Sequence, residues 1–445
     1  MKMKIQLSDH FTYKMLLRFV LPSIIMMVFT SIYGVVDGLF VSNFVGKTPF
    51  AAVNLVMPFI MIFGGIGFMF GTGGSALVAK TMGEGDKHRA NQYFTMMIAV
   101  TLICGVIIST VGVIYMEPIS VFLGADEEML ADCVLYGRIV LAFNTAFMLQ
   151  NVFQSFLIAA EKPKLGLWIT VAAGVTNMVL DALFMAVFHW GVAGAAIATG
   201  LSQCVGGVLP LIYFLRPNES LLRMRPTALR LRPILQACGN GSSELMSNIS
   251  SSLVGMLYNF QLMRLIGEDG VSAYGVLMYV QFIFVAIFIG YSIGSAPVVS
   301  FHFGAQNHDE LKSLLRKSVL LMSSGGVLLT VAARLLAALL AHLFVGYDAV
   351  LFDLTTHAFR LFSWSFLLAG FNIFTSGFFT ALNNGAISAA ISFLRTLVFQ
   401  TASVLILPLL LGVDGIWWAI TVAEIFAFLI SLLFLFLKRN KYHYL

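Results

Sequence analysis

Long apolar runs broken by short polar turns recur along the whole chain. Read for period and length, they predict twelve helices. In the first half these fall at approximately 15–45, 51–79, 92–116, 131–159, 164–189 and 192–215. The second half gives 234–264, 272–301, 314–345, 353–382, 386–411 and 413–437. About 20 apolar residues cross the hydrocarbon core of a bilayer, and every run reaches that length.

The two halves repeat. A shift of 221 residues lays Gly46–Asn91 on Gly267–Lys312 without a gap, with Gly46/Gly267, Met57/Met278, Gly73/Gly294 and Gly83/Gly304 among the identities. The same shift places "GVAG" at 191–194 on "GVDG" at 412–415, each opening the sixth helix of its half. Six is an even number, so both halves run the same way through the membrane, and parallel repeats of this kind carry substrate between them near the midplane. The expected fold class is an all-α polytopic membrane protein with 12 transmembrane helices in two six-helix lobes related by a parallel internal repeat. The boundaries follow: residues 1–215 as the N-terminal lobe, 216–233 as a cytoplasmic inter-lobe loop, and 234–445 as the C-terminal lobe. The loop, "RPNESLLRMRPTALRLR", reads as a linker whose arginines fix topology, with a grip on anionic lipid as its other use.

Charge sets the orientation. Placing the N-terminus inside puts Lys14, Arg18, Lys80, Lys87, Arg89, Lys162, Lys164, the loop arginines, Lys312, Arg316, Lys317, Lys438, Arg439 and Lys441 on the cytoplasmic side. Glu117, Asp126, Glu127, Glu128, Glu268, Asp269, Asp348 and Asp414 then collect outside. Lys47 and Arg264 stay outside, so the positive-inside rule is satisfied at nearly every loop, and the chain is expected to be a multi-pass protein of the cell's inner (plasma) membrane with both termini cytoplasmic. Only 11% of residues are charged, against about 25% in a soluble domain, and the basic residues are dispersed, which argues against a nucleic-acid partner. No cleavable signal peptide is expected, because Met1 to Lys14 is polar and the first helix is too long. Cys104, Cys133, Cys204 and Cys238 show no CxxC spacing and read as packing residues.

Against this apolar background a few polar residues stand out. Asp37 lies eight residues before the end of the first run, and a carboxylate there costs roughly 2.5–3.5 kcal/mol on insertion scales. Asp181 lies eight residues before the outer end of the fifth helix, and Thr199 eight after the start of the sixth. At a rise of about 1.5 Å per residue all three sit on the order of 12 Å below the outer surface. Asn177 stacks one turn below Asp181, and Tyr33 one turn below Asp37. Two carboxylates, an amide and a hydroxyl at one depth suit a proton relay or an oxygen-ligand site for a small cation such as Na+. Their other reading is structural, as hydrogen-bonding links between helices. In the second half the same shift and one of 222 place Tyr258 and Ser403 at the positions of Asp37 and Asp181, so the lobes are chemically unequal. Candidates for a substrate surface are Tyr33, Gln154, Gln281, Asn372 and Glu424. Glu424 has two readings open, a substrate-lining residue or a buried pair with Arg395 that fixes packing. Arg334, in the ninth helix, has no assigned role. Several motifs fail: "VGKT" at 45–48 lacks the glycine of a phosphate loop at Val41, the glycine-rich "GGIGFMFGTGG" lies inside a span, and no HExxH is present. No catalytic constellation appears, so the chain is not expected to be an enzyme.

These residues together resemble the multidrug and toxic compound extrusion (MATE) family, in the prokaryotic branch with acidic residues in the N-terminal lobe. The resemblance covers essentially the whole chain. Its most specific part is Pro22 followed fifteen residues later by Asp37, with Asn177-x-x-x-Asp181 and Thr199. It implies that Asp37, Asn177, Asp181 and Thr199 form the site coupling Na+ or H+ entry to drug export, and that the first helix bends at Pro22 during transport. The chain lacks the paired C-lobe acids of another MATE branch, since the tenth helix offers Asn372 and no mid-span carboxylate. The function so implied is a secondary active antiporter expelling amphipathic or cationic drugs and toxins by alternating access. Na+ or H+ would be its coupling ion, no other cofactor is needed, and a monomer is expected. The alternative is a flippase of lipid-linked saccharides from the same superfamily.

Overall fold

In a computed structural model that describes residues 5–346 and 348–444, the chain is helical throughout, with no strand among the described residues. The first six spans are α1 (Tyr13–Phe44), α2 (Lys47–Gly83), α3 (Lys87–Phe122), α4 (Glu127–Ala142 and Asn144–Ala159), α5 (Pro163–Val187) and α6 (Gly191–Leu215). The second six helices are α7 (Leu231–Leu265), α8 (Glu268–Gly304), α9 (His308–Val345), α10 (Ala349–Ala381), α11 (Gly385–Leu411) and α12 (Val413–Tyr442); among the described residues eleven of the twelve are long and apolar enough to cross a membrane, α4 as a bent pair, and α7 is the exception. Thr12, Asp86, Asp126, Asn307, Asp348 and Asn384 cap the starts of six of these helices by accepting from backbone N–H groups, which satisfies donors a helix start leaves unpaired.

The helices differ from the sequence expectation in three ways. Most extend several residues beyond the apolar runs, because polar first and last turns remain helical at the membrane surface. α4 begins at Glu127 and bends by 51° at Phe143, between its two pieces. α5 and α11, the fifth helices of the two halves, each change to a π turn: Ala182–Val187 directly after Asp181, and Leu394–Phe399 around Arg395. π turns recur at functional sites, where one extra residue per turn re-aims the side chains. α7 is the least apolar of the twelve, with Ser242, Ser243, Glu244, Ser247, Asn248 and Ser250 in its first half. It tolerates them because that stretch packs on α2 rather than facing lipid.

The lobes meet through α1 and α2 of the first half and α7 and α8 of the second. Glycine sets how closely. A Cβ on Gly73 would sit 2.1 Å from the Ala237 carbonyl oxygen, and one on Gly241 2.0 Å from that of Met69. At the ends of α2 and α8 the repeat-related Gly83 and Gly304 do the same, each Cβ falling 2.0 Å from a backbone oxygen, of Phe301 and Lys80 respectively. Along α1, Gly290 and Gly294 receive Ser23 and Ile24. All these contacts lie in the halves of the helices nearer the N-terminal side. Towards the opposite side, a Cβ on Gly34 or Gly38 of α1, on Gly255 of α7 or on Gly275 of α8 would meet open space. The lobes are therefore in close backbone contact on the side that carries the N-terminus.

Residues 5–12 reinforce this contact. Leu7 and Phe11 are fully buried. The Leu7 N–H donates to Glu161 Oε1 at 2.8 Å, in the α4–α5 turn of one lobe. The Phe11 N–H donates to Glu310 Oε1 at 2.9 Å in the other, where His10 and Glu310 also pair and Lys317 donates to the Phe11 carbonyl. The inter-lobe segment runs over α3, its Arg223 and Arg225 N–H groups donating to Asn91 and Thr95 side chains at 2.7 and 2.8 Å.

Overpacking a tight contact costs about 1–3 kcal/mol, equivalent to a roughly 5- to 150-fold change in the balance of two states. Gly304→Val, which drives a side chain into the Lys80 carbonyl, should therefore loosen the contact on the N-terminal side. The check is the thiol-labelling rate of half-buried Cys238, next to Ala237 in the Gly73 contact further along α2, in a variant lacking the other three cysteines. An unchanged rate would mean that the glycine crossing does not set the closed state.

Candidate functional site

The acidic site is assembled by one close approach. A Cβ on Gly174 of α5 would lie 2.5 Å from the Phe29 ring and 2.8 Å from that of Tyr33. Only glycine lets α1 come this near to α5. One turn further along α1, and one to two turns along α5, the approach brings the Asp37 carboxyl into interaction range of Asp181 and Asn177. Asp181 is fully buried and Asn177 is 2% exposed. One Asp37 oxygen, both Asp181 oxygens and the Asn177 amide oxygen are shielded from solvent and accept no hydrogen bond among the described residues. Buried carboxylate oxygens without donors are costly unless a proton or cation is shared among them. Four converging acceptors and no paired base make this an electronegative pocket inside the first lobe. A donor set made only of carboxylate and amide oxygens has the chemistry to take a proton or a hard, oxygen-seeking cation.

Two residues join it that the sequence did not single out. The Tyr33 hydroxyl interacts with the Gln150 side chain of α4, and Tyr136 of α4, 1% exposed, lies within electrostatic range of both carboxylates. A polar side chain in the middle of an apolar run was the available signal for Gln150, as it was for Gln154. Gln154 is buried one turn on, with its Oε1 unpartnered. Thr199 lies half-buried on α6, which packs against α5 and α1, and among the described residues its hydroxyl does not donate to either Asp181 oxygen. Pro22 is buried in α1, fifteen residues before Asp37, where the ring removes one backbone hydrogen bond at the crossing with α8.

The second lobe carries a carboxylate in the opposite condition. Arg395 donates to Glu424 through Nη2 at 2.7 Å and Nε at 2.9 Å, and Asn372 Nδ2 donates to Glu424 Oε2 at 2.7 Å and to its carbonyl at 3.0 Å. Glu424 is 1% exposed and Asn372 is fully buried. Of the two readings of Glu424, the geometry is that of the buried pair: the carboxylate is enclosed by three helices, and Asn372 is spent holding it. Gln281 of α8 stays half-buried with an unpartnered Oε1. The buried Tyr258 hydroxyl, at the position equivalent to Asp37, also has no partner, its ring stacked 4.8 Å from that of Tyr274. Arg334 acquires a role: its Nη1 donates to the Arg360 carbonyl at 2.9 Å and its guanidinium lies 4.7 Å from the Trp364 ring, tying α9 to α10. Among the described residues, Asp37 and Asp181 of the first lobe thus have no base beside them, whereas Glu424 of the second is neutralised by Arg395.

The chain is similar to known proteins over nearly its full length. Multidrug export protein MepA of Staphylococcus saprophyticus is 23% identical over 436 residues, covering 96% of this chain and 94% of the relative. Among solved structures, the outward-facing conformation of a multidrug resistance MATE family transporter of the MOP superfamily superposes with a TM-score of 0.91 at 23% identity, over 97% of this chain and 96% of that one. A MATE in the straight conformation gives 0.91 at 22% identity, over 97% of each chain. The MatE family model matches twice, at residues 22–183 and at 245–405, once in each half. Two matches that together span well over half of the sequence place the chain in the MatE family.

Proposed function

We propose that the protein is a secondary multidrug antiporter. It exports amphipathic, often cationic small molecules while Na+ or H+ enters through the acidic site of the first lobe. The observation that carries this reading is the fully buried Asp181 carboxylate, unpaired and facing Asp37 and Asn177. A permanent charge there would be prohibitive, whereas a charge that loads and unloads an ion couples a gradient to movement of the lobes. The names of the relatives, multidrug export proteins and MATE transporters, support the transport half of the reading; the chemistry of the pocket supports the coupling half.

In this reading both termini face the cytoplasm, so the side sealed by α2, α7, α8 and residues 5–12 is the inner one and the cleft opens outward. The chain works as a monomer in the inner (plasma) membrane and carries out transport, not catalysis. Up to six side-chain oxygens from Asp37, Asn177, Asp181 and Thr199 would hold Na+, completed by water or a carbonyl. A proton needs only the carboxylates, with Asn177 and Thr199 orienting them. Substrate lies in the cleft between the lobes, with Tyr33 and Gln281 at its walls; pocket residues of the first lobe such as Gln154 lie behind it. Bending of α1 at Pro22 would move Asp37 relative to Asp181 and so pass ion occupancy on to the cleft.

Dye efflux from proteoliposomes under separately imposed Na+ and H+ gradients tests this. Either inward gradient should drive dye out, and Na+ should raise the melting temperature more at alkaline than at neutral pH, where protons compete for the same oxygens. Dye movement that ignores both gradients would overturn the coupling; no dye movement under any condition would overturn drug export itself.

A further inference from the structure

Away from the lobe interface, a groove of about 460 Å³ lies between the first turns of α9 and the last turns of α12. That is the size of a small-molecule site. Its walls are Leu315, Val319, Phe371, Leu432, Leu435 and Phe436. Leu432 and Phe436 are exposed, so the groove opens sideways into the lipid. Tyr444 closes its end, buried and held by a hydrogen bond from its hydroxyl to the Leu435 carbonyl at 2.9 Å. Lys312 and Arg316, four residues apart on one face of α9, line the groove together with these apolar residues.

Both cations are exposed, and among the described residues neither forms an ion pair with Asp309, Glu310 or any other acid. Glu310, buried on another face of α9, is turned to His10 and the Phe11 N–H. The α12 end of the groove runs on into Lys438, Arg439 and Lys441, so the site lies at the membrane boundary on the N-terminal side. An apolar slot open to lipid, bordered by two unpaired cations at headgroup depth, has the complementarity of an amphipath with one negative head and an acyl tail. A zwitterionic lipid would offer the same phosphate but bring its own cation beside Lys312 and Arg316. A soluble anion would leave the slot unfilled.

We propose that this groove binds one anionic phospholipid, its phosphate against Lys312 and Arg316 and an acyl chain along Leu315, Val319 and Phe436. Basic pockets between spanning helices recognise such headgroups, at about a fivefold gain in affinity for each Lys or Arg near the surface. The bound lipid would bridge α9 and α12, the outer helices of the second lobe, without touching the acidic site of the first.

The test is native mass spectrometry of the full-length protein in detergent. It would be titrated with phosphatidylglycerol, with phosphatidylcholine of the same acyl chains, and with glycerol 3-phosphate. One phosphatidylglycerol should bind in preference to phosphatidylcholine. Lys312→Gln combined with Arg316→Gln should weaken it by about 25-fold, and Val319→Trp, which fills the groove and keeps both charges, should weaken it as well. Equal binding of the two lipids, or unaltered phosphatidylglycerol binding by both variants, would overturn the site. Glycerol 3-phosphate binding as tightly as the lipid would overturn it too, by showing a soluble-anion site. If the double glutamine variant fails to fold, Val319→Trp decides alone.

Discussion

Asp37→Asn and Asp181→Asn should each abolish gradient-driven export while the protein still inserts and purifies as a folded chain. The reason is the imbalance of the site. Both Asp181 oxygens and one of Asp37 are buried without donors, so the native fold gains nothing from their charge; it tolerates it. Replacing either carboxylate by the isosteric amide removes the charge that an entering ion must neutralise, and adds a donor that the remaining carboxylate can use. Stability should therefore stay level or rise, while dye efflux under either gradient falls to the level of empty vesicles. Asn177→Ala should act differently. It removes one oxygen and no charge, so it should weaken Na+-dependent thermal stabilisation more than H+-driven efflux. If both aspartate variants unfold instead, the pair holds helices together and the coupling assignment is wrong.

Arg395→Met should cost about 3–5 kcal/mol of stability, the penalty for leaving a buried carboxylate without its partner. Glu424 is 1% exposed, and Asn372, a neutral amide, cannot balance its charge. Adding Glu424→Gln to Arg395→Met should return most of the loss, since replacing both charges of a buried pair is often near neutral. Thermal unfolding of the two single variants and the double variant gives the coupling directly. Export driven by an ion gradient should persist in the double variant, because the neutral Glu424–Arg395 pair offers no site to load an ion. Loss of all gradient response there, with Asp37→Asn still responding, would move the coupling site to the second lobe.

Much of this molecule is legible in its one-dimensional pattern, because membrane crossing is a local constraint. A bilayer demands about 20 apolar residues in a helix and penalises every charge, so each run and each exception is visible without a partner. That is why twelve helices, their parallel repeat, and Asp37, Asp181 and Thr199 at one depth with Asn177 a turn below were read from the sequence. The same logic picked out Arg395 and Glu424, but it left their relation open, since depth fixes level along the membrane and not direction around a helix. Only the packing decided that Glu424 is enclosed by Arg395 and Asn372 while Asp181 is left unpaired, a difference that lies in which faces of α5, α11 and α12 turn inward. Gln150 and Tyr136 entered the acidic pocket through the bend of α4 at Phe143 and the approach of α1 to Gly174, neither of which has a periodic signature. The close approach on the N-terminal side likewise rests on backbone contacts at Gly73, Gly83, Gly241 and Gly304. A glycine in an apolar run announces that something can come close; only the tertiary structure says what does, because close approach depends on two surfaces and the sequence describes each one alone.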